Sequence, residues 1–274
     1  MTKERMPAQI DKTNWTSYAS ATVHRKQWSV VIAAAGKGSR LGFDLPKILF
    51  PVAGRTILDW LLHLLLPYCE TVVAVVSPDG RAVIESELER RAPGRYKIAV
   101  QQVPTGMGDA VDIGAAEVTT PHTAVIWGDQ VAIQPASVEA IIRLHQGPLN
   151  PALTIPMVIR PMPYIHFERK NGRIERLLQA REGDRMPETG ESDTGLFCFQ
   201  TDTLRELLGK LKGTPEAKGS KTAEFNLLPV IPYASRNGYE ILTPYIMEIE
   251  ETVGINSAAD AGRIEPFLRE RFHV

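Results

Sequence analysis

The sequence has little cysteine. Its 274 residues hold two, Cys69 and Cys198, too few and too far apart for a metal-ligand spacing or a disulfide framework. That scarcity fits a reducing compartment, and the expected location is the cytoplasm. Neither sign of charge is in excess: 31 Lys and Arg face 32 Asp and Glu, leaving a net charge of −1. A broad basic surface for nucleic acid or for a membrane is therefore not expected. Long apolar runs are missing too. The densest, Trp60 to Leu66, is broken by His63 and is too short to cross a bilayer. Residues 1–27 are polar and lack the apolar centre of a secretory signal. They read as a surface extension, with Trp15 and Tyr18 as candidate anchors. The remaining histidines have neither zinc spacing nor a partner that suggests a catalytic base.

What the sequence does have is a 43% hydrophobic share, enough for a sizeable core. Apolar runs alternate with helical spacing from residue 28 to about 147. Strands are predicted at 29–35, 71–77, 97–102 and 122–127, and helices at 56–67, 79–91, 107–118 and 135–146. The runs Thr71-Val72-Val73-Ala74-Val75-Val76-Ser77 and Thr123-Ala124-Val125-Ile126-Trp127 suit strands buried on both faces. A β-α-β-α order implies a mostly parallel sheet with right-handed crossovers.

The pattern then changes. Strands are predicted at 152–159, 164–170 and 173–179, with Asn171-Gly172 as a hairpin turn. Residues 181–193 read as a polar loop. A strand at 194–200, a helix at 202–212, a polar loop at 213–221, a strand near 239–245 and a helix from Ser257 to Phe272 complete the chain. The expected class is α/β, a three-layer α/β/α arrangement on a mixed, mostly parallel sheet. No linker separates independent domains. An extension (1–27) precedes one domain (28–274), whose halves are 28–147 and 148–274.

The chain is organised around Trp28–Gly54. A run of β-branched and small apolar residues ends at Gly36-Lys37-Gly38-Ser39-Arg40, and Pro46-Lys47 follows. The glycines let the backbone turn its N–H groups inward as a nest for phosphate oxygens, while Lys37, Arg40 and Lys47 add positive charge. The dinucleotide fingerprint Gly-x-Gly-x-x-Gly fails because position 41 is Leu, and Gly-x-x-x-x-Gly-Lys-Ser/Thr does not occur. On the loop alone, an ordinary glycine turn with solvated cations stays open.

The string Ala33–Gly54 resembles the signature of nucleotidyltransferases with the GT-A-like fold: an apolar strand, Ala-Ala-Gly-x-Gly-x-Arg-Leu/Met, then Pro-Lys and a Gly before a helix. Within that family the motifs are similar to those of the uridylyltransferase domain of bacterial N-acetylglucosamine-1-phosphate uridylyltransferases. Gln101 to Gly108 resembles the nucleobase segment. Trp127-Gly128-Asp129 resembles the metal-binding Gly-Asp, Asp193 to Phe197 the sugar-side Asn-Thr-Gly-Ile-Tyr, and Gly254 to Ser257 the second metal segment. The resemblance covers about residues 28–268.

It implies a reaction in which a nucleoside triphosphate, UTP first, and a sugar 1-phosphate give a nucleotide sugar and pyrophosphate. It assigns Arg40 and Lys47 as catalytic cations. Ala34, Ala35, Gly36, Lys37, Gly38, Gln101 and Gly106 fall to the nucleotide, and Asp193, Thr194, Gly195 and Glu224 to the acceptor. Asp129 and Asn256 would hold Mg²⁺, which suits few carboxylates plus phosphates and water. In isolation, Asp129 also reads as a strand-end residue, Asn256 as the N-cap of the last helix, and Glu224 as a helix-face carboxylate.

The departures are Asp193 where that family has Asn, Asp109 where it has His, and a missing hairpin glutamate whose place Gln179 or Glu182 would take. Acetyl transfer is not expected. Rival readings are a cytidylyltransferase acting on another phosphorylated small molecule and a non-catalytic nucleotide-sugar sensor. A glycosyltransferase of the same fold wants Asp-x-Asp, which Asp129-Gln130-Val131 does not supply.

Overall fold

Strand β1, Trp28–Ala33, is buried along almost its whole length, as its β-branched run requires. It pairs in parallel with β4 (Thr71–Val76) on one side and β6 (His122–Trp127) on the other. The computed structural model describes residues 22–246 and 248–272. Trp15 and Tyr18 lie outside the described residues.

The central sheet has seven strands in the order β13-β7-β12-β6-β1-β4-β5, where β5 is Tyr96–Val100, β7 Leu153–Thr154, β12 Leu196–Gln200 and β13 Ile241–Leu242. Only β12 runs against its neighbours β6 and β7. Both halves of the chain thus contribute strands to one sheet. The α/β class with a mixed, mostly parallel sheet is as the sequence predicts.

The sides of β1 alternate. Val30 and Ile32 join one apolar cluster and Val31 the other. On the first face lie α1 (Ile57–Leu65), α2 (Arg81–Arg91), α4 (Pro135–His145) and α7 (Ala258–Phe272). On the second lie α3 (Met107–Ala116), α5 (Thr201–Leu211) and α6 (Val230–Arg236). Helix α1 starts with a reciprocal cap: the Thr56 hydroxyl accepts from Asp59 N–H, and Asp59 Oδ2 accepts from Thr56 N–H. None of the described helices is long and apolar enough to cross a membrane.

The second half departs from the predicted elements in four places. The expected strand 152–159 is two strands. Pairing with β12 ends at Thr154, before Pro156, which has no N–H; β7 stays in the central sheet, and β8 (Met157–Pro161) joins a separate ribbon, although Met157 still bridges Tyr245. The expected loop 181–193 ends in β11 (Thr189–Asp193), antiparallel to β8. This strand is polar in sequence, yet Gly190 to Asp193 are all buried. Helix α6 was not expected, and the strand near 239–245 shortens to two residues. The hairpin β9 (Ile165–Lys170) and β10 (Arg173–Gln179) turns at Asn171 and Gly172, whose φ values of 52° and 78° are those of the mirror-image turn such loops favour. This hairpin and the β8–β11 ribbon pack together outside the central sheet, β9 against β11.

Helix α3 packs close to the sheet because residue 114 has no side chain. A Cβ there would lie 2.5 Å from a Val31 methyl and 2.8 Å from a Val75 methyl. Alanine is the better helix former, but Gly114→Ala must push the helix off the sheet. It is expected to cost about 1–3 kcal/mol by urea unfolding, and equal or greater stability in the variant would disprove this packing constraint.

Candidate active site

The parallel strands deliver their loops to one edge of the sheet, where open α/β sheets bind ligands. After β1, Ala34 N–H still bonds Val75 O at 2.8 Å, and the chain then leaves the sheet. The loop that follows is closed at its base by Lys47 N–H donating to Gly36 O (3.1 Å) and inside by Phe43 N–H donating to Gly38 O (3.2 Å). Gly38 cannot carry a side chain, since a Cβ would lie 2.6 Å from Phe43 O and 2.7 Å from Leu45 O. Among the described residues no acceptor takes the N–H groups of Ala35, Gly36 or Lys37, while Gly38 faces Leu45 across the antiparallel bridge between Lys37 and Pro46. Lys37 and Arg40 are exposed, and no carboxylate among the described residues pairs with either. The loop therefore presents free donors and positive charge together.

After β6, Gly128 passes against the end of β1, where a Cβ would meet Ala33 O at 2.3 Å. Asp129 follows. Lys47 Nζ donates to Asp129 Oδ2 at 2.6 Å and to Asn256 Oδ1 at 2.8 Å, partners 82 and 209 residues away in the chain. The segment bearing Asn256 is fixed to Asp129 twice. Ile255 N–H donates to Asp129 O (3.0 Å), and Gly254 lies against the carboxylate, where a Cβ would meet Asp129 Oδ1 at 3.0 Å. The N-cap of α7 is not Asn256. Ser257 Oγ accepts from Asp260 N–H, and Asp260 Oδ2 accepts from Asn256 N–H and Ser257 Oγ–H. The Asn256 side chain is thereby released toward Lys47. Asp129 and Asn256 offer hard oxygen donors, and the space between them already holds one cationic head. No cluster of three or more His, Cys, Asp or Glu capable of holding a metal occurs among the described residues. A divalent ion there needs phosphate or water oxygens as well.

After β5, Gln101 is 5% exposed, and its amide nitrogen donates to Gly106 O and to Asp109 Oδ2, each at 3.0 Å. Both amide hydrogens are thus used, leaving the Gln101 carbonyl for a ligand. Burial opposes ionisation of Asp109. Hydrogen bonds from Thr105 and Gln101, with the nearby Lys212 charge, outweigh it and hold the carboxyl below its ordinary value. Gly106 takes φ +122°, and a Cβ would lie 2.4 Å from Phe225 O, so this loop is clamped onto the Glu224–Asn226 segment. Glu224 borders Gly106 and pairs with Arg181 at 2.6 Å. It lies in a loop before α6, so the helix-face reading does not hold.

Asp193, Thr194 and Gly195 form the corner between β11 and β12. Asp193 Oδ1 accepts from Gly195 N–H at 2.8 Å, and Gly195, at φ +81°, fits against Trp127 and Gln130. Among the described residues no cation pairs with Asp193. Burial pushes its carboxyl up to about 6, against the hydrogen bond from Gly195 N–H. Glu182 is buried and binds the 219–222 loop, accepting from the N–H groups of Lys221 and Thr222 and from the Thr222 hydroxyl. Burial raises its pKa, but these bonds prevail and lower it. Glu182 is thus a loop anchor, and Gln179 lies at the end of β10, its N–H bonded to Asp184.

The structure therefore gathers Lys47, Asp129 and Asn256 into one contact group at the base of the 34–40 loop. Gln101, Gly106 and Glu224 form a second group, and Asp193 to Gly195 a third. Sequence reasoning missed Gln130, which is buried, donates to Thr252 O at 3.3 Å and leaves its Oε1 unpartnered. Its place directly after Asp129 was the one available signal.

The MobA-like NTP transferase domain model matches residues 30–192. The chain belongs to that family. Among curated proteins it is similar to the bifunctional protein GlmU of Desulfitobacterium hafniense, 30% identical over 256 residues, covering 89% of this chain and 52% of that protein. The corresponding GlmU of Carboxydothermus hydrogenoformans is 28% identical over 239 residues, covering 85% of this chain and 51% of the relative. The chain thus spans about half the length of the curated relatives it matches. A solved structure described as a putative glucose-1-phosphate thymidylyltransferase from Bacillus anthracis superposes with a TM-score of 0.71 at 14% identity. The match covers 89% of this chain and 96% of that one. That likeness establishes the fold, and the matched family is one of NTP transferase domains.

The Asp193 carboxyl gives a test of site electrostatics. Its folded pKa lies above the unfolded value of about 3.9, so its contribution to stability is full below pH 4 and lost as pH rises through 6. Asp193→Asn is expected to gain on the order of 2–3 kcal/mol over wild type on going from pH 4 to pH 7 in chemical denaturation. A pH-independent difference would disprove the desolvated carboxylate.

Proposed function

We propose that the protein is a Mg²⁺-dependent nucleotidyltransferase that condenses a nucleoside triphosphate, preferably UTP, with a sugar 1-phosphate and releases pyrophosphate. The observation that carries this reading is the convergence of Lys47, Asp129 and Asn256 beneath a loop with unclaimed amides and free cations. An acceptor phosphate oxygen attacks the α-phosphorus, a new P–O bond forms, and the bond to the β-phosphate oxygen breaks in line. Positioning and neutralisation dominate such chemistry. The amides of Ala35 to Lys37, with the Lys37 and Arg40 side chains, receive the β- and γ-phosphate oxygens and the charge that builds on pyrophosphate. Lys47 supplies a point charge beside the α-phosphate. Asp129 and Asn256 hold the Mg²⁺, whose role when bound is to neutralise phosphate charge. The corner Asp193-Thr194-Gly195, with Glu224, faces the acceptor.

UTP is favoured by the free half of the Gln101 amide. Its hydrogens are committed to Gly106 and Asp109, so it offers a hydrogen-bond acceptor, which matches the N3–H of uracil and not the bare N3 of cytosine. The amide orientation follows from its two acceptor neighbours.

A pyrophosphate-release screen of the four NTPs against a panel of sugar 1-phosphates, with and without Mg²⁺, is expected to give turnover that needs the metal and is greatest with UTP. Tight NTP binding with no pyrophosphate from any pair would sink the enzymatic reading and favour a sensor. Asp129→Ala is expected to lower turnover by about 10²–10³ or more with the melting transition retained. Near-wild-type turnover would remove Asp129 from the site. Gln101→Ala is expected to narrow the UTP preference over CTP, and an unchanged ratio would refute the base-reading role.

A further inference from the structure

The Gln101 amide is held by one backbone carbonyl and one side chain, and that side chain is a carboxylate. Gln101 follows β5 directly and Asp109 sits in the first turn of α3, so their contact closes the turn between strand and helix. Asp109 Oδ2 accepts from Gln101 Nε2 at 3.0 Å and from the Thr105 hydroxyl at 2.6 Å. Its Oδ1 lies 3.7 Å from the ammonium of Lys212, which follows α5 and donates to Asp112 Oδ2 at 2.6 Å. Among the described residues, each side-chain partner of the Asp109 carboxylate is therefore a donor. The second fixed point is as firm, because Gly106 O also accepts from Ala110 N–H within α3.

A carboxamide ends in an oxygen and an NH₂ group of nearly equal shape, so packing alone does not choose which way round it sits. An ionised carboxylate does choose, since it accepts and cannot donate. Turned over, the Gln101 amide would set its oxygen about 3 Å from both Asp109 Oδ2 and Gly106 O, with no hydrogen between any of them. In the orientation observed, no donor among the described residues takes Gln101 Oε1, and that atom is not among the enclosed unpartnered ones. We propose that Asp109 is the positioning residue for base choice. It locks the Gln101 oxygen toward the ligand, so that the site selects a pyrimidine carrying a hydrogen on N3 and rejects cytosine. Asp109 itself does not touch the base. The inference rests on the proposed nucleotide site, and it names what sets that site's selectivity. A carboxylate in the first turn also suits the helix dipole. That role alone would change stability and leave base choice as it is.

The test measures binding of UTP and of CTP to the full chain by calorimetry, with Mg²⁺ and without acceptor. Wild type, Asp109→Asn, Gln101→Ala and the double variant are compared, with melting curves to report folding. Wild type is expected to favour UTP by about tenfold or more. In Asp109→Asn the Lys212 ammonium attracts the new carbonyl oxygen and turns the NH₂ toward Gln101, whose amide then turns over. The UTP-to-CTP affinity ratio is expected to fall about five- to tenfold, Gly106 O preserving the remainder. Asp109→Ser, smaller and able to donate, gives a fall in the same direction and serves if the asparagine variant does not fold. In the Gln101→Ala background, Asp109→Asn leaves the ratio where it is. A wild type without UTP preference, an unchanged ratio, or equal weakening of both nucleotides overturns the proposal. A further fall in the Gln101→Ala background overturns the route through Gln101. If neither nucleotide binds, the nucleotide site has failed and the inference with it. If selectivity follows Asp109 while no sugar 1-phosphate yields pyrophosphate, the nucleotidyl-transfer reading has failed and the role of Asp109 stands.

Discussion

The structure depends on the burial of β1. A parallel strand hydrogen-bonded on both sides and covered by helices on both faces tolerates no polar interruption and little excess volume. Its neighbours are cut to fit. Helix α3 approaches through Gly114, and the β6 exit passes Ala33 through Gly128. The loop that leaves β1 thus starts from a fixed point, and so does Asp129, one strand away. A site that works by positioning needs such a base, because small displacements of a charged group are costly in rate.

The parallel half was legible because its physics is one-dimensional. Strands buried on both faces read as continuous apolar runs, and the intervening helices repeat their apolar face every three to four residues. The second half was not, because it buries polar residues. The strand Thr189–Asp193 has no hydrophobic signal, and its burial comes from packing beside the β9–β10 hairpin and from Arg169 forking onto Glu191 at 2.8 and 3.1 Å. Pro229 and Pro232 disguised α6, although Pro229 precedes the helix and Pro232 sits within its first turn, where the missing N–H costs nothing. The run 152–159 concealed the break at Pro156.

For the site, the separate motifs were legible and their contacts were not. Glycine spacing marked the loop. That Lys47 reaches Asp129 and Asn256 needs the crossing of three chain segments, which only the fold provides. Asn256 was legible as a cap and proved to be relieved of that duty by Ser257. Gln101 stood out as a candidate for the nucleobase, and the direction of its amide follows from Gly106 and Asp109.

Lys47 has a further consequence through its two ends. Its backbone N–H closes the glycine loop on Gly36, while its ammonium lies between the Asp129 and Asn256 oxygens. One residue is therefore a mechanical strut between the anion-facing and cation-facing parts of the site. On the proposed mechanism, a divalent ion taking those oxygens would displace the ammonium and free its charge for phosphate. A polyanion drawing the ammonium away would uncover the oxygens. Two such ligands would share one exchangeable cation, so each would raise the affinity for the other by the same factor, as linkage requires.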